Sequence, residues 1–114
     1  MKQELKFHHM SIPTDSPREN ETYVEAFKLH MSGLEGNPYR VDWLRFEPDS
    51  PLPEILKTLP HVAYVVDDIE AAVADAEVIV EPTTPIEGVT VAYIVHDGAP
   101  IEFLQFHRPV SESK

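Results

Sequence analysis

The sequence predicts an α+β fold made of two copies of a βαβββ-type module, the first one shortened. Three observations predict it. Two strand-like segments open on histidine, Phe7-His8-His9-Met10-Ser11-Ile12-Pro13 and His61-Val62-Ala63-Tyr64-Val65-Val66, and each leads into a helix-start signal. Two further segments agree in residue type at every position: Val41-Asp42-Trp43-Leu44-Arg45-Phe46 and Ile101-Glu102-Phe103-Leu104-Gln105-Phe106. Between the halves lies a proline-rich stretch with Pro48, Pro51, Pro53 and Pro60. Module 1 therefore covers about 5–47, the linker about 48–60 and module 2 about 61–107, within one domain of 114 residues.

The elements follow in order. After the first strand, Ser16-Pro17-Arg18-Glu19 offers a capping serine, proline at the first helical position and glutamate three residues after the cap. It predicts a helix from about Pro17 to Lys28, with Tyr23, Val24 and Phe27 on one stripe. A short hairpin is expected next, around Leu29 to Ser32 and Asn37 to Arg40, then the strand holding Asp42. The linker has room for one helical turn at Glu54 to Lys57. In the second half, Asp67-Asp68-Ile69-Glu70 repeats the capping signal with aspartate as cap, predicting a helix over about Asp68 to Ala76. Glu77 to Val80 and Val89 to Val95 read as strands, and His96-Asp97-Gly98 as the turn into the last one. His9 and Asp42 are 33 positions apart (42 − 9), against 41 (102 − 61) for His61 and Glu102, so the first module is compressed.

Composition narrows the function. Apolar residues are 42% of the chain, enough for a packed core, and eleven prolines favour short elements and turns. A net charge of −11 repels phosphate backbones and anionic surfaces, so neither nucleic acid nor membrane is expected as a partner. Without cysteine there is no disulfide, thiol nucleophile or thiolate metal site. Met1-Lys2-Gln3-Glu4-Leu5 has no long apolar core, and no stretch approaches the roughly 20 apolar residues of a membrane span, so a cytoplasmic protein is expected.

Strand alternation sorts the unusual polar residues. His9 shares a face with Ser11, His61 with Ala63, Asp42 with Leu44 and Phe46, and Glu102 with Leu104 and Phe106. A pseudo-twofold that pairs the modules gathers His9, Asp42, His61 and Glu102 into a site of two nitrogens and two oxygens, suited to Zn, Ni, Co, Mn or Fe(II). Each residue also has a plain reading: His61 as a strand-end histidine bonded to backbone, Glu102 as a solvated residue on an edge strand. The repeat outweighs these, because it sets histidine with histidine and acid with acid. His8 competes with His9 for the first position, and strand parity favours His9.

These segments resemble the vicinal oxygen chelate superfamily, which includes glyoxalase I, methylmalonyl-CoA epimerase, fosfomycin-resistance proteins and extradiol dioxygenases. The likeness runs through His8-His9-Met10-Ser11-Ile12, through His61-Val62-Ala63-Tyr64-Val65-Val66-Asp67-Asp68-Ile69-Glu70-Ala71-Ala72, where it is most specific, and through Pro100-Ile101-Glu102-Phe103-Leu104-Gln105. The resemblance implies paired modules forming a cup-shaped sheet around a divalent metal held by His9, Asp42, His61 and Glu102. Asp42 stands where glyoxalase I has glutamate, a shorter arm. The resemblance further implies a metal-dependent lyase or isomerase that stabilises an enediolate or enolate of a small oxygenated substrate, with Glu102 as the base and Asp42 as its counterpart. Arg40 is a candidate for holding a substrate carboxylate or a solvated strand-end residue; Tyr93, His96 and His30 are candidates for the pocket lining, or core and surface residues. Two other classes stay open: an Fe(II) extradiol-type dioxygenase, which needs only two histidines and one carboxylate, and a non-catalytic small-molecule-binding protein of the same fold. Exposed apolar strand edges, and the pairing common in the family, predict a homodimer.

Overall fold

The computed structural model describes residues 3–107; Met1 and Lys2 of the N-terminal stretch considered above, and residues 108–114, lie outside the described residues. In chain order the elements are β1 (Lys6–Pro13), β2 (Thr22–Val24), β3 (Leu29–Ser32), β4 (Val41–Phe46), α1 (Glu54–Thr58), β5 (His61–Val65), α2 (Ile69–Val73), β6 (Glu77–Ile86), β7 (Val89–His96) and β8 (Ala99–Phe106). The eight strands form one sheet curled into a half-barrel cup, in the order β2-β3-β4-β1-β5-β8-β7-β6. Each half thus runs first, fourth, third, second strand outward from the middle. β1 lies parallel to β4, β5 parallel to β8, and the antiparallel β1–β5 pair joins the halves.

Local chemistry sets the strand ends. β1 stops at Pro13, which has no N–H to continue the ladder, and β5 starts directly after Pro60. Asp97 and Gly98 both take left-handed backbone (φ 50 and 84), the conformation of a two-residue type I′ turn, and they close β7 onto β8. β6 continues well past its expected end at Val80 to Ile86. It accepts Pro82 and Pro85 because it is an edge strand paired only with β7, and three register shifts bend it along the way.

The first half corrects the expectation of a helix from Pro17 to Lys28. Asn20 takes φ 60, which interrupts any helix, and Thr22–Val24 pairs antiparallel with β3. The Arg18 N–H is held by Glu21 Oε2 rather than by a capping serine. The apolar stripe serves a strand instead: Val24 is buried inside the cup while Tyr23 faces out. The hairpin of this half is accordingly β2–β3, not Leu29–Ser32 with Asn37–Arg40. The latter segment is a turn, with Asn37 N bonded to Leu34 O at 3.1 Å and Arg40 N to Asn37 O at 3.1 Å. On the convex face, where a helix would lie, Arg18 covers Trp43 with its guanidinium carbon 4.1 Å from the ring centre.

The second half keeps its helix in shortened form. α2 is capped by Asp68, whose carboxylate accepts from Ala71 N (3.2 Å), and ends at Val73 rather than Ala76. Its Ile69, Ala72 and Val73 pack with Val66, Ala92, Ile94 and Phe103 on the convex face. The larger core lines the cup: Val24, Phe27, Leu29, Leu44, Leu104 and Val91, with Leu52 and Leu56 brought in by the linker. That segment is therefore a packed wall, and α1 within it matches the helical turn expected there. With two helices of five residues each among the described residues, the chain is more strongly β than the sequence suggested.

Candidate metal centre

Strand register builds the centre. β1 and β5 oppose His9 to Ala63 and Ser11 to His61; β4 sets Asp42 beside Ser11, and β8 sets Glu102 beside Ala63. Partners in register share a face of the sheet, so two short rows result: Asp42–Ser11–His61 and His9–Ala63–Glu102, the second extended by Tyr93 opposite Glu102. Each row has a small residue in the middle, Ser11 or Ala63, so the larger side chains on either side converge above it. All six, and Tyr93 with them, are buried.

One nitrogen of each histidine and one carboxylate oxygen of Glu102 lie within 4.8 Å of one another. Glu102 Oε1 is 3.0 Å from His61 Nε2 and 3.6 Å from His9 Nε2. Asp42 stands beside this group without joining it: its Oδ1 accepts from the Ser11 hydroxyl at 2.5 Å, and its Oδ2 is 4.0 Å from His9 Nε2. Behind His9, a bulge at His8 lets two consecutive residues meet. The register shifts between Phe7 and His9, and His8 Nδ1 comes within 2.7 Å of His9 Nδ1. One ring donates to the other, which leaves His9 Nε2 directed at the carboxylates.

The charges fit this geometry. Burial alone would raise the Glu102 carboxyl, but the hydrogen bond from His61 and the nearness of His9 outweigh it and hold the group at about 2, so it is anionic. Burial raises the Asp42 carboxyl, opposed by the Ser11 hydrogen bond and the charge of His9. Burial also lowers His9, yet the Glu102 carboxylate 3.6 Å away, with the charge of Asp42, turns the net shift upward. Tyr93 is pushed well above the usual phenol range, by burial and then by the neighbouring Glu102 charge.

The residues fit a divalent ion. Metal–ligand bonds of about 2.0–2.2 Å put neighbouring ligand atoms about 3.3–3.6 Å apart around a tetrahedral ion and about 2.8–3.1 Å apart around an octahedral one, and the contacts of Glu102 at 3.6 and 3.0 Å match one spacing each. His61 adds a second reason. Its Nδ1 is buried without a partner. If the proton sits there, the Nε2 lone pair points at a carboxylate oxygen 3.0 Å away and needs a cation between them; if the proton sits on Nε2, a buried acceptor is left unmet. A cation at the cluster removes the first conflict.

The overall shape has a counterpart among solved structures. A crystal structure of a hypothetical protein from Bacillus halodurans C-125 superposes with a TM-score of 0.66 at 17% identity, covering 96% of this chain and 99% of that one. At that identity the likeness concerns the fold alone. No family model matches the sequence. No curated protein matches it either.

His9 and Glu102 of the cluster, with Ser11 and Asp42, line a cavity of about 180 Å³ that is walled by Val24, Phe27, Leu29, Leu44, Val91 and Leu104. A more polar, open space of about 390 Å³ adjoins it and shares His8, Met31, Leu34 and Asp42 with it. Arg40 lies in this outer space. It precedes β4, has left-handed backbone (φ 58) and donates from Nε to the His8 carbonyl at 2.9 Å, so strand parity does not govern its direction. Tyr93 lines the inner cavity, edge-on to His61 with ring centres 5.3 Å apart. His30 and His96 lie elsewhere: His30 bonds Glu47 at 2.7 Å, and His96 is exposed at the β7–β8 turn. Sequence reasoning missed the roles of Ser11 and His8. Ser11 was visible as the residue sharing a face with His9, but its contact with Asp42 depends on the β1–β4 register.

Proposed function

We propose that the chain is a vicinal oxygen chelate protein, with a first βαβββ-type module built without its helix, and that it works as a metal-dependent glyoxalase-like lyase or isomerase on a small oxygenated substrate. The observation that supports this most is a carboxylate, Asp42, set beside but outside a His9/His61/Glu102 cluster whose His9 and Glu102 line an apolar cavity. A divalent ion (Zn, Ni, Co, Mn or Fe) bound there would supply Lewis-acid polarisation of a substrate carbonyl. The protein supplies the rest. Glu102, engaged by both imidazoles, serves as a ligand. Asp42, free of the cluster and raised by burial, accepts the proton from the carbon beside the carbonyl: the C–H bond breaks and its electron pair shifts toward the carbonyl oxygen. As that pair returns, Asp42 delivers the proton to the same carbon or, where that carbon bears a hydroxyl, to the former carbonyl carbon while the hydroxyl proton passes to the enolate oxygen and a new carbonyl forms. This transfers to Asp42 the role the sequence assigned first to Glu102. The apolar walls keep water from competing for that proton. Arg40, at the mouth, is suited to a substrate carboxylate, and Tyr93 packs behind His61.

Deuterium wash-in tests this reading. Metal-restored protein is incubated in D₂O with α-keto aldehyde thiol adducts and acyl-CoA esters, and exchange at the carbon beside the carbonyl is followed. Exchange that falls by about 10²–10⁴-fold in Asp42→Ala is expected; no exchange with any substrate, or equal exchange in the variant, contradicts it.

The three-residue cluster itself, two histidines and one carboxylate, favours a second reading as an Fe(II) extradiol-type dioxygenase. Oxygen uptake with catechols by the iron-loaded protein would select it. A non-catalytic binding protein is the third class, and failure of every divalent metal to raise thermal stability would favour that one. A homodimer and a cytoplasmic location belong to the proposal. Among the described residues, no helix is long and apolar enough to cross a membrane.

A further inference from the structure

We infer that Ser11 is a positioning residue that withholds Asp42 from the metal, so that a centre with four potential protein ligands uses three. The inference rests on the metal-centre reading above and concerns how its two acids come to differ.

The sheet treats the two acids alike. β1 and β4 are parallel and set Asp42 beside Ser11; β5 and β8 are parallel and set Glu102 beside Ala63. Across the central β1–β5 pair, Ser11 faces His61 and Ala63 faces His9. Ser11 and Ala63 are thus equivalent positions, as are Asp42 and Glu102. Besides the shorter arm of Asp42, the two sets differ in one chemical respect, the hydroxyl of Ser11. Ala63 has none, and Glu102 Oε1 turns to both imidazoles, at 3.0 and 3.6 Å. Ser11 has one; it is 1% exposed, and it donates to Asp42 Oδ1 at 2.5 Å.

The shorter arm of aspartate does not by itself explain the difference. Asp42 Oδ2 approaches His9 Nε2 to 4.0 Å, only 0.4 Å (4.0 − 3.6) farther than Glu102 Oε1 does. Aspartate therefore has the reach to approach the centre, and the hydroxyl fixes which way its carboxylate turns. A hydroxyl buried to this degree has no competing water, so the bond to an anionic oxygen is strong and short. Held in this way, Asp42 faces the cavity as a base and leaves one coordination position to the substrate.

Cobalt(II) substitution tests this through the visible absorption of the bound ion, which reports coordination number and ligand type independently of turnover. Wild type, Asp42→Ala, Glu102→Ala, Ser11→Ala and the double variant Ser11→Ala/Asp42→Ala are stripped with chelator and titrated with Co²⁺. The expected result is that Asp42→Ala keeps the wild-type spectrum while Ser11→Ala changes it. Ser11→Ala also binds Co²⁺ more tightly, on the order of tenfold, as the freed carboxylate joins the ion. The double variant returns to the wild-type spectrum, a restoration that a merely structural role for Ser11 would not produce. A Ser11→Ala spectrum identical to wild type overturns the inference and leaves the metal centre standing. So does a spectrum changed by Asp42→Ala alone, a result that holds even if Ser11→Ala fails to fold. A wild-type protein that takes up no Co²⁺ overturns the metal-centre reading, and this inference with it.

Discussion

Glu102 is the most heavily engaged carboxylate in the cup, touched by two imidazoles and backed by Tyr93, whereas Asp42 is answered mainly by one hydroxyl. The two acids should therefore respond differently to removal. Glu102→Ala takes away a ligand and leaves two imidazoles to hold the ion. Asp42→Ala removes a neighbouring charge whose attraction acts at longer range. Competition with a chromophoric chelator should show Asp42→Ala retaining most of the wild-type metal affinity, with Glu102→Ala weaker by well over the 10–100-fold typical of changes to the residues that support a ligand. An equal loss in both variants would make Asp42 a ligand. These roles were only partly legible in the sequence. Residue type and strand parity mark His9, His61, Asp42 and Glu102, because each depends on its own strand alone. Which acid sits closer to the imidazoles depends on a contact between β1 and β4, and a single sequence carries no register.

At the scale of elements, the second half was readable because its signals are local: alternating strands, an aspartate cap and a turn at Asp97-Gly98. The first half was not. Tyr23, Val24 and Phe27 fit a helical stripe and a hairpin equally well, and the deciding contacts come from distant residues. Arg45 in β4 holds Glu21 with two hydrogen bonds, at 2.9 and 2.7 Å, and Trp43 receives Arg18. The Arg45 hydrogen bond leads the causes that place the Glu21 carboxyl at about 2 against an ordinary 4.5. A depressed carboxyl stabilises the fold above its ordinary value and ceases to do so as pH falls through the folded one. Glu21→Gln should therefore lower the thermal midpoint at neutral pH, with the gap to wild type closing between about 4.5 and 2; a gap independent of pH would remove the ion pair from the account. Gly33 tests the same region. It has φ 93, and a Cβ there would lie 2.6 Å from Trp43 Cε3. Gly33→Ala should destabilise the protein by about 1–3 kcal/mol in chemical denaturation. An unchanged midpoint would mean that Trp43 moves aside freely.

For the whole molecule, the lesson is that a duplicated sheet leaves its two convex faces unequal. α2 covers the second; on the first, among the described residues, Arg18 lies over Trp43 and Met10 stays 39% exposed. Together with Phe7, 54% exposed, this supports the proposed homodimer. Light scattering coupled to size exclusion should give twice the chain mass of 12.9 kDa, and a monomer at all concentrations would withdraw that proposal. The cup itself needs no second chain to bring its histidines and acids together, since all of them come from the four middle strands β4, β1, β5 and β8. Everything proposed for its chemistry depends on those strands holding an ion. Elemental analysis of the purified protein beside His61→Ala and Glu102→Ala, with folding checked by circular dichroism, tests this most directly. One divalent ion per wild-type chain, absent from both folded variants, is the predicted result. Wild-type protein without metal, or variants that retain it in full, would contradict it.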